Sequence, residues 1–97
     1  MEIDLENFDF EDAIQEIDNI DLEILELLRK RRDLDLAIGL WKQKESIPVL
    51  DYNKETLLFQ RLERLADERD LDINFVTTIW KLILDNSRLF QERMDLK

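Results

Sequence analysis

The sequence predicts an all-α protein of three helices, the first of them very long. Three observations carry that expectation. Apolar residues recur at spacings of three and four through three separate stretches, the period of a helix and not the alternation of a strand. Only one glycine and one proline occur in 97 residues, so few positions favour a break. The chain is 44% apolar and 39% charged, which suits amphipathic helices that bury one stripe and solvate the rest.

Residues 1–9 (MEIDLENFD) show no periodicity and read as a disordered acidic leader, followed by a single helical domain over 10–97. Asp9 is placed to cap the first helix, which runs from Phe10 to about Glu45 with only Gly39 against it. A lone glycine costs a helix about 1 kcal/mol and often marks a close crossing. The seam of this helix is Ile17, Ile20, Ile24, Leu27, Arg31, Leu34, Ile38 and Trp41. Its length is ~54 Å at ~1.5 Å rise per residue, whereas a compact domain of this size has a radius of gyration of ~13 Å. One protomer cannot cover such a helix, so the expected assembly is an intertwined homodimer.

Ser46-Ile47-Pro48-Val49-Leu50 breaks the pattern, because Pro48 lacks an N–H and biases Ile47 toward extended geometry. Asp51 then caps a second helix, with Lys54 and Glu55 in its first turn and Leu57, Leu58, Leu62, Leu65 and Ala66 along it, ending near Arg69. Asp70-Leu71-Asp72 makes the next turn, and Asp72 caps a third helix from Ile73 to about Met94. Val76, Trp80, Ile83, Ser87, Phe90 and Met94 form its stripe, and Ser87 and Gln91 share one flank at i and i+4.

Composition removes several classes of function. Without cysteine there are no disulfides or thiolate metal sites, and without histidine neither zinc nor imidazole acid–base chemistry is expected. No apolar run approaches ~18 residues and no basic-then-apolar leader is present, so a soluble, cytoplasmic protein without a membrane partner is expected. The net charge of −10 disfavours nucleic acid. That charge is uneven: residues 1–28 hold eleven carboxylates and no Lys or Arg, and the remainder carries 14 cations against 13 anions. A site for a small anion must therefore be a local cluster of cations.

Arg31 is the misfit in the first seam, since a guanidinium among leucines and isoleucines needs an anionic partner. Lys42 lies eleven residues on, three turns plus roughly 20°, and so projects from nearly the same face. Two cations about 16 Å apart on one face can bracket a small dianion. Equally, Arg31 can pair with Asp35 at i+4 while Lys42 snorkels from the seam edge. The polar residues that interrupt or border the stripes are Arg31, Asp35, Lys42, Asp51, Lys54, Glu55, Ser87 and Gln91. They contain no nucleophile–base pair and no metal-ligand set. Fixed charges and hydrogen-bond donors suit binding, or a reaction that needs only preorganised electrostatics. Read structurally instead, Ser87 and Gln91 are an exposed polar flank and Asp51 is only a helix cap.

The run Ile17-Asp18-Asn19-Ile20-Asp21, Ile24-Leu25-Glu26-Leu27-Leu28, Arg31-Arg32, Ala37-Ile38-Gly39 and Lys42 resembles the first helix of the all-helical type II chorismate mutases. Pro48-Val49, Asp51, Lys54-Glu55 and the closing Ser87 and Gln91 extend the likeness across roughly residues 13–93. The resemblance implies a domain-swapped dimer of three-helix protomers. It implies a cofactor-free pericyclic conversion of chorismate, a small dianion, to prephenate in aromatic amino acid biosynthesis on the shikimate pathway. By position, Arg31 would bind a substrate carboxylate. Lys42 would contact a carboxylate and the ether oxygen, where charge grows as the C–O bond breaks. Gln91 would donate to that same oxygen, Asp51 and Glu55 would hold the ring hydroxyl, and Ser87 would seat the second carboxylate.

Three positions depart from the family pattern. Ile14 stands where an arginine reaches into the partner's site, and no Lys or Arg precedes residue 29. Asp35 stands where a small apolar residue lines the substrate ring. Lys54 replaces a more usual arginine, keeping charge but losing bidentate geometry. Loss of one charge-assisted contact to a desolvated carboxylate costs roughly 2–5 kcal/mol, on the order of 30- to several-thousand-fold in rate if felt in the transition state. Three functions are therefore open: a chorismate mutase weakened by Ile14 and Asp35; a same-fold enzyme for isochorismate or aminodeoxychorismate, whose amine would suit Asp35; and a non-catalytic, regulatory helical dimer that binds a small anion or a partner enzyme of the shikimate pathway.

Overall fold

The computed structural model describes residues 2–48 and 52–95, with three helices: α1 (Phe10–Lys44), α2 (Tyr52–Glu68) and α3 (Ile73–Asp95). The Val49-Leu50 part of the expected break, the Asp51 cap and the Met94 side chain lie outside the described residues. The all-α class and the very long first helix are as the apolar period predicts. Among the described residues no helix is long and apolar enough to cross a membrane.

The helix starts follow from aspartate caps. The Asp9 carboxylate accepts from the Asp12 N–H at 3.1 Å, and the Asp9 carbonyl accepts from Ala13 at 3.0 Å. Asp72 repeats the arrangement, with its carboxylate on the Phe75 N–H at 3.1 Å and its carbonyl on the Val76 N–H at 3.1 Å. Each satisfies donors that a helix start leaves without intrahelical partners.

The ends of α1 and α2 are closed by left-handed residues that are not glycine. Ser46 has φ 58° and Asp70 has φ 54°. Beyond α1 the Ile47 N–H bonds the Lys42 carbonyl at 2.8 Å, and beyond α2 the Leu71 N–H bonds the Ala66 carbonyl at 2.9 Å. These six-to-one bonds turn the chain out of the helix and satisfy late carbonyls. The break after α1 thus begins at Ser46, before Pro48 is reached.

The chain divides into two compact units, Met1–Asp33 and Leu34–Lys97. In the first, the Asp4 carboxylate accepts from Asn7 Nδ2 at 2.8 Å and from the Glu6 N–H at 3.0 Å, bonds that hold its carboxyl below the usual range. Ile14 and the seam residues Ile17, Ile20, Ile24 and Leu27 are all exposed, and α1 contains no buried residue. Arg29 bridges Glu26 at 2.9 Å and Asp33 at 3.4 Å on a solvated side of the helix.

In the second unit α2 packs against α3. Leu62, Ala66 and Val76 form the buried centre, with Leu58, Phe59 and Trp80 packed on it. Ile83 and Phe90 are half-buried on the α3 stripe. Leu57, which sequence groups with the α2 stripe, is instead 65% exposed. It neighbours Leu58 but sits about 100° around the helix from it, so both cannot face one small core.

Candidate functional site

Within the second unit, a cavity of about 320 Å³ opens among all three helices. That volume is at the small end of ligand sites, about 300–1,000 Å³. Helix α1 contributes Asp35, Ile38, Gly39 and Lys42, a set at i, i+3, i+4 and i+7 on one face. From α3 come Leu84, Ser87, Arg88 and Gln91 with the same spacing, and α2 supplies Lys54, Glu55 and Leu58 from its first turns.

Six of the eight residues expected from sequence therefore line one cavity: Asp35, Lys42, Lys54, Glu55, Ser87 and Gln91. Arg31 belongs to the first unit, is half-buried, and is not among the lining residues. Asp51 lies outside the described residues. The reading of Ser87 and Gln91 as an exposed flank does not hold, because Ser87 is 9% exposed and Gln91 is half-buried.

Gly39 lets Gln91 reach α1. A Cβ on Gly39 would lie 2.9 Å from Gln91 Nε2 and 3.3 Å from its Cδ, closer than side-chain carbons normally approach. With that space open, Gln91 Nε2 donates to the Asp35 carbonyl at 3.1 Å. An amide carries two N–H donors, so one remains to serve a ligand. The close crossing expected at Gly39 is thus made by one side chain on the helix backbone.

Sequence reasoning missed Arg88. Its guanidinium lies against the Glu55 carboxylate in a part-buried ion pair between α3 and α2, and its other terminal nitrogen reaches Asp85 at 3.3 Å. The available signal was its spacing: Arg88 follows Leu84 by four and precedes Gln91 by three, so it shares their face. Glu55, expected to meet a ligand hydroxyl, already holds a cation.

The lining charges are three cations, Lys42, Lys54 and Arg88, against two carboxylates, Asp35 and Glu55. A net positive, partly apolar recess inside a chain of net charge −10 is the local cationic cluster that an anion site requires. Among the described residues no group of three or more acidic side chains is placed to hold a metal ion. The arrangement offers fixed charge, an amide donor and a hydroxyl, which suits binding an anion and stabilising charge that develops on it.

A family model described as chorismate mutase type II matches residues 13–92. A bifunctional chorismate mutase/prephenate dehydratase of Buchnera aphidicola subsp. Schizaphis graminum is 37% identical over 79 residues, covering 81% of this chain and 20% of that protein. A chorismate mutase of Methanocaldococcus jannaschii is 27% identical over 79 residues, covering 81% and 80%. A 4-amino-4-deoxychorismate mutase of Streptomyces venezuelae is 28% identical over 69 residues, covering 71% and 67%. The chain spans about a fifth of the length of the bifunctional relatives. It belongs to the chorismate mutase type II family.

Proposed function

We propose that the chain acts as a chorismate mutase, rearranging chorismate to prephenate without a cofactor, as a homodimer. The observation that carries this reading is the joining of Lys42, Lys54, Glu55, Ser87 and Gln91 around one cavity by three helices of a family member. The reaction is intramolecular: one C–O bond breaks and one C–C bond forms, with no proton to move and no group to transfer. The protein therefore needs to fold the substrate and to stabilise charge on the departing ether oxygen.

In this reading the Lys42 ammonium and the second N–H of the Gln91 amide meet that oxygen. The amide is already held by its bond to the Asp35 carbonyl, so little reorganisation opposes its effect. Ser87 and Lys54 seat carboxylate groups, and Glu55 and Asp51 take the ring hydroxyl. Arg31 serves a substrate carboxylate once a second copy covers the exposed seam of Ile17, Ile20, Ile24 and Leu27. Ile14, in place of an arginine, and Asp35, an anion on the cavity wall, make the enzyme weak. A dehydratase-type partner enzyme fits the same reading, because the bifunctional relatives carry both activities in one chain.

One observation favours a second substrate. The Asp35 carboxylate lines the cavity, where the amine of an amine-bearing chorismate would approach it. The 4-amino-4-deoxychorismate mutase among the relatives supports keeping this reading.

Assays of the purified protein with chorismate, isochorismate and 4-amino-4-deoxychorismate decide between them. Turnover of chorismate above the other two is expected. Preference for the amine assigns Asp35 to it, and no turnover of any by an intact dimer points to a regulatory protein. Lys42→Ala should lower kcat at least about a hundredfold with helicity intact. Survival of activity would remove Lys42 from the proposed mechanism.

A further inference from the structure

Arg88 is the charged residue of the cavity that the proposed mechanism does not use. Its position is specific. It lines the cavity beside Ser87 and Gln91, and it joins α3 to α2 through Glu55, 33 positions away in sequence. Its second contact, Asp85, is 67% exposed, so solvent screens that carboxylate more than it screens Glu55, which is 29% exposed. The Glu55 pair is thus the one that governs charge inside the recess.

We propose that Arg88 is a positioning residue that acts through Glu55: by neutralising and aiming that carboxylate, it makes the cavity accept a dicarboxylate. The inference rests on the mutase reading for its substrate but not for its charge argument. Without Arg88 the lining would hold two lysines against two carboxylates, a neutral recess with Glu55 facing an incoming dianion. With Arg88 the recess carries one net positive charge, and the guanidinium engages one Glu55 oxygen. The other oxygen would then serve a ligand hydroxyl. A guanidinium suits this because its two terminal nitrogens hold Glu55 and Asp85 at once, where an ammonium supplies a single point of charge.

The pair is partly exposed, so its effect lies between that of a surface pair and that of a buried one. The experiment uses the full chain and compares wild type with Arg88→Met, Arg88→Lys, Glu55→Gln and the Glu55→Gln/Arg88→Met double variant. Two readouts are taken: kinetics with chorismate, and calorimetric binding of prephenate, a dicarboxylate that does not require turnover. Arg88→Met should raise KM and the prephenate Kd about tenfold, with the larger share of the loss in KM. Arg88→Lys should recover part of that, since charge returns without the fork. The double variant should bind more tightly than Arg88→Met, because the uncompensated anion has gone with its partner. A merely structural Arg88 would lower stability and leave the affinity of folded Arg88→Met and Arg88→Lys protein unchanged, and that result overturns the proposal. Circular dichroism identifies variants that fail to fold; if Arg88→Met is among them, the Lys and double variants carry the same comparison. Wild type that binds prephenate but leaves chorismate unchanged defeats the mutase reading, while the binding ratios still support Arg88. Wild type that binds neither overturns both.

Discussion

Up to Asp33, α1 carries Ile17, Ile20, Ile24 and Leu27 along its seam, and every one is exposed; in α2 and α3 the stripe residues Leu62, Ala66 and Val76 are at most 7% exposed. Both regions obey the same helical period. The first exposes its apolar side, and the second folds its own sides against each other around Phe59 and Trp80. A period of 3.6 therefore says which side of a helix avoids water, but not what will cover it. The contrast also separates two kinds of polar interruption. Ser87 interrupts a stripe that its own unit covers and lines a cavity there, while Arg31 interrupts one that, on our reading, a second copy must cover.

The strongest way to break this comparison is to charge the exposed seam. Ile17→Asp with Ile24→Asp would place four carboxylates in a symmetric dimer and remove on the order of 6–12 kcal/mol of apolar burial, at about 1.5–3 kcal/mol per side chain. Light scattering should report about twice 11.8 kDa for wild type and a loss of that species for the variant. A stable, folded wild-type monomer at micromolar concentration would leave the seam without a purpose and the proposed dimer wrong.

Next in size are Ile14 and Asp35, two of the three departures from the family pattern, one in each region. Ile14→Arg should raise kcat/KM for chorismate about tenfold, and Asp35→Ala should raise it separately by a similar factor. On the proposed reading both act on the same bound substrate, so the double variant should not be the product of the singles. If wild type already exceeds ~10⁴ M⁻¹s⁻¹, the argument from missing charge fails.

Gly39→Ala probes the second region more finely. Alanine gains about 1 kcal/mol over glycine in a helix interior, but its Cβ would meet the Gln91 amide at 2.9 Å. The obstacle is the far end of a flexible side chain, so thermal unfolding should place stability within about 1 kcal/mol of wild type. Turnover should fall about tenfold or more as the displaced amide loses its aim. A fall in stability with turnover retained would show that Gly39 serves packing and not the placement of Gln91.

The smallest effect concerns the left-handed stops. Asp70→Gly relieves a side chain held at φ 54°. Aspartate tolerates this region better than most residues, and glycine costs more unfolded-state entropy, so the net gain should be only about 0.5 kcal/mol. Chemical denaturation should show a slightly raised midpoint with an unchanged slope. Ser46→Gly after α1 should behave alike, and a difference between the two would reveal strain specific to one region.

Much of the candidate site was legible because it lies at helical spacing on faces that the stripes already define. Lys42 falls one turn beyond Ile38, and Gln91 one turn beyond Ser87, so a face once chosen brings its polar residues with it. Arg88 was not legible for the complementary reason. A cation next to a stripe faces water as often as it faces a pocket, and its partner Glu55 is 33 positions away on another helix. Leu57 shows the same limit from the apolar side: it continues the pattern of α2 but stays largely exposed.

The sequence by itself determined the elements. Three helices, the aspartate caps at Asp9 and Asp72, the turns after Lys44 and Glu68, the lack of imidazole and thiol chemistry, and the acidic first third are all local or compositional, set by backbone hydrogen bonding and side-chain type within a few residues. Only the tertiary structure decided which polar side chains meet. The pairing of Glu55 with Arg88, the passage of Gln91 over Gly39 to the Asp35 carbonyl, and the burial of Ser87 each join residues from separate helices or depend on such joining. Periodicity fixes an angle around one helix axis; it carries no information about the rotation and distance of the next helix, and a cavity is made of those.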